Sequence, residues 1–90
     1  MHMSRNTEIL ERYGIENQTR QAMEECGELI QALNKMLRLP SAENLNHLTE
    51  EMADVEIMME QMRIAWQIPR IDIFEVKKHK LNRMMQRLKE

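Results

Sequence analysis

Apolar residues recur at intervals of three and four along most of the chain, with polar residues between them. This spacing places apolar side chains on one face of an α-helix. The sequence therefore predicts an all-α fold built from successive amphipathic helices. The expected helices run from Ser4 to Tyr13, from Asn17 to Arg38, from Ser41 or Asn44 to Gln67, and from Arg70 or Asp72 to the C terminus.

Helix-terminating residues separate these segments. Gly14 follows the first, Pro40 follows the second and Pro69 follows the third. Glycine readily adopts the conformations that end a helix, and proline cannot continue one. Only a short loop joins the second and third helices, each roughly 35 Å long, so we expect them to pack antiparallel as a hairpin.

Each helix has an apolar face that we expect to be buried, and Trp66 is expected to be a buried anchor. The expected core residues are Ile9 and Leu10 in the first helix; Ala22, Cys26, Leu29, Leu33 and Met36 in the second; Leu45, Leu48, Met52, Val55, Met59, Met62 and Trp66 in the third; and Ile73, Val76, Leu81, Met84 and Leu88 in the fourth. We expect the 90 residues to form one small domain, 1–90, whose own core gives only marginal stability. We therefore expect an antiparallel hairpin with flanking helices, and a four-helix-bundle-like core that oligomerisation completes.

Two pairs of carboxylates interrupt the apolar faces of the hairpin. Glu25 and Glu28 lie three residues apart, as do Glu51 and Asp54, so the members of each pair are neighbours on a helix. Glu28 precedes the expected end of its helix by ten residues, and Glu51 follows Ser41 by ten, so the pairs come level in the hairpin. Four carboxylates at close range cannot all stay ionised without compensation, and a divalent cation is the usual compensation.

A site made of carboxylates favours Mg²⁺, or Mn²⁺ in its place, over zinc. Magnesium usually shares its coordination with substrate phosphates, so we expect a phosphate compound as substrate. Glu24 and Glu50, beside the two pairs, are candidates to position the attacking water. The candidate substrate contacts are Lys80, Arg83 and Arg87 of the fourth helix for phosphates, and the amides of Gln18 and Gln21 for a base or sugar.

Composition excludes several classes of partner. The chain has 13 basic and 15 acidic residues and a net charge of -2, which gives no overall attraction for nucleic acid. No apolar run approaches the roughly 20 residues of a membrane span. The single cysteine, Cys26, excludes an intramolecular disulfide and fits a reducing compartment. We expect a soluble, cytoplasmic protein that binds neither nucleic acid nor membranes.

The two acidic segments resemble the MazG-like, all-α nucleoside triphosphate pyrophosphohydrolases, whose hallmark is Glu-Glu-x-x-Glu followed, after a variable spacer, by Glu-x-x-Asp. The matching residues are Glu24-Glu25-Cys26-Gly27-Glu28 and Glu51-Met52-Ala53-Asp54, and Tyr13-Gly14, Gln18, Leu29-Ile30, Lys35 and Lys80-Leu81 agree around them. The resemblance extends from about Tyr13 to Arg87, which is nearly the whole chain.

The resemblance implies an oligomeric enzyme, a homodimer or a tetramer made of two dimers. With Mg²⁺, such an enzyme cleaves a ribo- or deoxyribonucleoside triphosphate between the α and β phosphates, giving the monophosphate and pyrophosphate. The implied site residues are Glu25, Glu28, Glu51 and Asp54 as metal ligands, Glu24 as the water-orienting residue, and Lys80 with Arg83 or Arg87 as phosphate contacts. Base and sugar preference stay open.

Three alternatives remain. A dUTP or phosphoribosyl-ATP hydrolase would use the same ligands with a different pocket. A non-catalytic helical interaction or regulatory module would carry the acidic residues as surface charge, and its thermal stability would not respond to Mg²⁺ or Mn²⁺. A di-iron carboxylate bundle is the third, although the sequence lacks the Glu-x-x-His spacing that such bundles use.

Overall fold

The computed structural model describes residues 3–90 and contains four α-helices. They are α1, Arg5–Tyr13; α2, Ile15–Arg38; α3, Ala42–Ala65; and α4, Arg70–Arg87. No strand occurs in that range, so the all-α prediction is confirmed. α2 begins two residues before the predicted start, and α3 ends two residues before the predicted end. None of the helices described is long and apolar enough to cross a membrane.

Local side-chain chemistry sets the helix ends. The hydroxyl oxygens of Ser4 and Ser41 accept hydrogen bonds from the backbone N–H groups of Thr7 and Asn44, each at 3.1 Å, and so cap α1 and α3. Ser41, rather than Asn44, is therefore the cap of α3. Gly14 ends α1 with a φ of 89°, a value that glycine adopts without steric cost.

The hairpin of α2 and α3 is the main packing unit, and α1 packs against both of its helices. The loop between α2 and α3 covers only residues 39–41, so the two helices run antiparallel. Among residues 3–90, the buried apolar residues are Leu10, Ala22, Ala32 and Met58. This core is small for a chain of 90 residues, and it limits the stability of a single copy.

Several predicted core residues of α3 lie instead on an exposed stripe. Four of them recur every seven residues and are 45–59 % exposed: Leu45, Met52, Met59 and Trp66. The face that packs in the hairpin contains Met58, about 100° around the helix from Met59. The predicted burial of this stripe, including Trp66 as an anchor, is wrong for one copy of the chain. The same correction applies to Ile9, Leu33 and the apolar residues of α4.

Helix α4 has no packed interface with the other helices, and every residue from 66 to 90 is exposed. Polar contacts hold its first turn against the end of α3. The Glu60 carboxylate accepts a hydrogen bond from Arg70 at 2.7 Å and another from Arg63 at 2.5 Å. These two guanidinium groups, Arg70 foremost, lower the pKa of Glu60. Arg63 also donates to the carbonyl of Ile68 at 3.2 Å, which fixes the corner between the helices.

The corner begins with a left-handed residue. Gln67 has a φ of 54°, and its N–H donates to the carbonyl of Ile64 at 3.2 Å. The N–H of Ile68 donates to the carbonyl of Arg63 at 2.9 Å. These two bonds form a Schellman motif, in which glycine is the favoured residue at the left-handed position. A glutamine there is strained, because its Cβ crowds the following carbonyl oxygen.

Replacing Gln67 by glycine should relieve this strain. We expect Gln67→Gly to raise the free energy of unfolding by about 0.5–1 kcal/mol, since glycine tolerates a positive φ. Urea unfolding followed by circular dichroism would measure the change. Gln67→Ala, which keeps the Cβ, is the matched control and should change stability little. A glycine variant less stable than the alanine variant would contradict the assignment.

Candidate functional site

Three carboxylates from two helices meet at the seam between α2 and α3. Glu25 lies near the middle of α2, and Glu51 and Asp54 lie one turn apart in α3. One carboxylate oxygen of each residue lies within 4.8 Å of the other two. Because Glu25 precedes the end of α2 by 13 residues and Asp54 follows the start of α3 by 12, antiparallel packing brings them level. We call these three residues the acidic cluster.

Neighbouring side chains hold part of the acidic cluster. Gln21 donates its amide to Glu25 Oε1 at 3.0 Å. His47 Nε2 lies 3.5 Å from Glu51 Oε1. The other oxygen of that carboxylate, Glu51 Oε2, is buried and has no hydrogen-bond partner among residues 3–90. A buried carboxylate oxygen without a donor is costly, and a bound cation is one group that satisfies it.

Like charges make the acidic cluster electrostatically unfavourable. Burial raises the pKa of Glu25 above its usual value, and the nearby charges of Asp54 and Glu51 raise it further. The hydrogen bond from Gln21 opposes this rise but does not cancel it. Ionised Glu25 therefore destabilises the protein at neutral pH when no cation is present.

The residues of the acidic cluster fit a divalent cation. All three donors are carboxylates, which are hard oxygen ligands of the type that Mg²⁺ and Mn²⁺ prefer. Glu51, which contributes one oxygen to the cluster, also carries the buried oxygen without a hydrogen-bond partner among residues 3–90. Three protein ligands leave coordination positions for waters or substrate oxygens.

The other predicted residues of the acidic motif lie outside this cluster. Glu28 is one turn beyond Glu25 on α2 and is exposed. Glu24 and Glu50 are also exposed, next in sequence to members of the acidic cluster. The structure thus brings together three of the four predicted ligands, and it leaves Glu28 and Glu24 facing solvent beside them.

The two predicted glutamine contacts have different surroundings. Gln21 reaches the acidic cluster through its bond to Glu25. Gln18 is only 6 % exposed, and its amide donates to Gln61 Oε1 at 2.7 Å. Its side chain is therefore occupied within the fold and is not brought to the surface of the site.

The predicted phosphate contacts lie together on α4. Lys80, Arg83 and Arg87 line, with Met84, a shallow cavity of about 330 Å³. Since α4 does not pack against α2, one copy of the chain does not bring these cations to the acidic cluster. Their shared face was predictable from the sequence, whereas their position relative to α2 was not.

Two residues near the site were missed by the sequence analysis. His47 contacts Glu51 from one turn earlier on α3, and this spacing of four residues was visible in the sequence. Gln61 is buried against Gln18. Its only signal was a position seven residues after Asp54, on the same face of the helix.

The electrostatics of Glu25 lead to a stability prediction. In the presence of a chelator at pH 7, Glu25→Gln should raise the melting temperature by roughly a few degrees, because it removes the charge that burial and the neighbouring carboxylates disfavour. The gain should vanish at a pH below the unfolded-state pKa of Glu25, where the carboxyl is protonated in both states. Glu24→Gln, at an exposed position, is the control and should change the melting temperature much less. An unchanged melting temperature for Glu25→Gln would contradict the electrostatic argument.

Comparison with known proteins identifies the family. A family model described as MazG nucleotide pyrophosphohydrolase domain matches residues 14–90. This segment contains α2, α3 and α4 and all three residues of the acidic cluster. No match was found among curated proteins or among solved structures. Because the family match covers most of the chain, the chain belongs to the MazG nucleotide pyrophosphohydrolase domain family.

Proposed function

We propose that the chain is a Mg²⁺-dependent nucleoside triphosphate pyrophosphohydrolase. It adds water across the anhydride between the α and β phosphates of a ribo- or deoxyribonucleoside triphosphate, and it releases the monophosphate and pyrophosphate. The observation that supports this proposal is the acidic cluster, whose three carboxylates come from the two motif segments and meet within 4.8 Å. Membership of the family supplies the reaction class.

The acidic cluster supplies the cation ligands in this proposal. Glu25, Glu51 and Asp54 hold Mg²⁺, or Mn²⁺ in its place, and Glu28 completes the set from the adjacent turn of α2. When bound, the cation neutralises triphosphate charge and activates the attacking water. Glu24 orients that water from the neighbouring position on α2. Gln21, already bonded to Glu25, keeps that carboxylate in place.

The substrate contacts follow from charge and position. Lys80, Arg83 and Arg87 bind the phosphates, since they form one cationic face on α4. Of the two glutamines expected to contact a base or sugar, Gln21 is the one beside the acidic cluster. Gln18 is buried away from the surface, and we do not retain it as a direct contact.

We also propose that the active form is a homodimer, or a tetramer made of two dimers. The exposed stripe of α3 and the exposed apolar residues of α4 give each copy an unburied apolar surface. The charges of the first three helices and of α4 are also complementary in sign. Residues 1–69 contain six basic and twelve acidic residues, whereas residues 70–90 contain seven basic and three acidic ones. The α4 of one copy is therefore attracted to the acidic hairpin of another.

This assembly places the phosphate contacts of one copy at the acidic cluster of the other. Within a copy, α4 has no packed interface with α2, so the cations of α4 do not reach a substrate bound at the acidic cluster of the same copy. A second copy supplies these cations, because its α4 docks on the hairpin of the first copy, where apolar surface and negative charge are both exposed. Each site then combines carboxylates from one chain with Lys80 and Arg83 or Arg87 from the other.

The reaction is testable by pyrophosphate release. With Mg²⁺, the protein should release pyrophosphate from at least one member of a panel of ribo- and deoxyribonucleoside triphosphates that includes dUTP. We expect Glu51→Gln and Asp54→Asn each to lower kcat by at least about 100-fold, because each removes a ligand of the cation. Circular dichroism should show the same helical content in both variants.

Glu43→Gln is the matched control for these substitutions. It makes the same chemical change on an exposed position of α3, and it should keep nearly full activity. Full activity in Glu51→Gln or Asp54→Asn would contradict the ligand assignment. Absence of pyrophosphate release together with no change in melting temperature on adding Mg²⁺ or Mn²⁺ would favour a non-catalytic module.

Mixing two defective variants tests the shared site. Lys80→Ala and Glu51→Gln should each be nearly inactive at low substrate concentration. After subunit exchange in equal amounts, a dimer with shared sites should regain roughly a quarter of wild-type activity, because half of the dimers carry one intact site of two. Lys78→Ala, a neighbouring exposed cation of α4, should remain active on its own. A mixture no more active than the average of its parents would contradict the shared site.

A further inference from the structure

Three hydrogen-bonded amides, of which Gln18 and Gln61 are buried and Asn6 is half-buried, cross the open end of the α2–α3 hairpin. Gln18 Nε2 donates to Gln61 Oε1 at 2.7 Å, and Gln61 Nε2 donates to Asn6 Oδ1 at 3.2 Å. Gln61 is only 2 % exposed. These contacts join α2, α3 and α1 through groups that are costly to bury without partners. Nothing in the proposed reaction uses them directly.

The Gln18–Gln61 pair and the acidic cluster both form in the same register of α2 against α3. Gln18 lies seven residues before Glu25, and Gln61 lies seven residues after Asp54. Seven residues are about two helical turns, or roughly 10 Å. In antiparallel helices, Gln18 therefore faces Gln61 in the register in which Glu25 faces Asp54. A slide of one turn would separate both pairs together.

Apolar packing alone specifies this register weakly. The buried apolar residues of the hairpin are Ala22, Ala32 and Met58. Alanine has little side chain to interlock with a facing helix, and methionine is flexible enough to fill several arrangements. The loop at residues 39–41 restrains one end of the hairpin, and the acidic cluster lies between that loop and the amide pair. A buried polar pair is a device that fixes helix register, because other registers leave its groups unpaired.

We infer that Gln18 and Gln61 are positioning residues whose buried hydrogen bond sets the register that holds Glu25 level with Glu51 and Asp54. They act on the acidic cluster through the helices, without touching the substrate or the cation. The inference rests on the proposed function only for the effect on cation binding. The register itself is measurable without any enzymatic activity.

The test replaces both amides at once with Gln18→Met and Gln61→Met. Methionine is close to glutamine in size, and changing both partners leaves neither of them as an unpaired buried amide. Spin labels at Arg20→Cys on α2 and Glu56→Cys on α3, both exposed positions, report the spacing of the helices by double electron–electron resonance. Both label sites are introduced into a Cys26→Ser variant, so that Cys26 itself carries no label. An excess of unlabelled chain is added, so that the measured distances are those within one copy. Mn²⁺ affinity is measured on the unlabelled double variant by electron paramagnetic resonance.

We expect the double variant to keep its helical content and its melting temperature in a chelator. The distance distribution should broaden or shift by about one turn, roughly 5 Å. Mn²⁺ affinity should fall by at least about tenfold, as it does when residues that orient metal ligands are lost. Met58→Leu, a volume-conserving change in the same interface, is the control and should leave the distance and the affinity unchanged.

Each possible outcome either supports or overturns the inference. An unchanged distance distribution in the double variant overturns it. A changed distribution with unchanged Mn²⁺ affinity supports the register role and counts against the proposed cation site. If the methionine variant does not fold, Gln18→Leu with Gln61→Leu takes its place. Failure of both to fold overturns the inference, because the pair would then be needed for the fold as a whole.

Discussion

The antiparallel packing of α2 on α3 is the constraint on which the rest of the molecule depends. Each helix alone presents carboxylates along a polar edge, and such carboxylates are ordinary surface groups. Only when the helices meet in one register do Glu25, Glu51 and Asp54 lie within 4.8 Å of one another. The same packing buries one oxygen of Glu51 without a donor and raises the pKa of Glu25. The seam therefore stores an electrostatic cost that a bound cation would relieve.

The apolar surface that one copy leaves exposed is the second consequence of this packing. The hairpin uses the face of α3 that contains Met58 and Gln61, so the neighbouring stripe with Met52 and Met59 has no partner. Helix α4 adds more exposed apolar area and most of the surplus positive charge. A single hairpin cannot bury both faces of α3, because they lie about 100° apart on the helix. The proposed self-association would bury this apolar surface and would also bring the basic α4 of one copy to the acidic hairpin of another.

The sequence predicted the elements better than it predicted their contacts. Helix ends followed from Ser4, Gly14 and Ser41, whose effects on the backbone are local, and the observed caps agree with them. The meeting of Glu25 with Glu51 and Asp54 was also predictable to within about one turn, because the short loop and the spacing along each helix indicate which turns come level. The helix ends depend on local side-chain chemistry, and the level of the carboxylates depends on helix geometry and loop length.

The choice of buried face was harder to predict. A broad apolar surface on α3 offers more than one way to pack, and the sequence does not say which stripe packs against α2 and which stays exposed. Trp66 was expected inside and lies exposed for this reason. Gln61 was overlooked because a single glutamine reads as a surface residue, and its burial becomes favourable only once Gln18 stands opposite to bond with it. Contacts that need two distant residues at once are not visible in local patterns.

The small core bears on both the repulsion within the acidic cluster and the exposed apolar surface. With few buried apolar residues in the part of the chain that the structure describes, one copy has little stability to offset the repulsion at the acidic seam. Anything that binds only the folded chain raises its stability by mass action, so the proposed cation and the proposed second copy would act on the same equilibrium. They would act at different places, the proposed cation between α2 and α3 and the proposed second copy on the exposed stripe and α4. If both proposals hold, the chain would gain part of its stability from the same cation and second copy that complete its site.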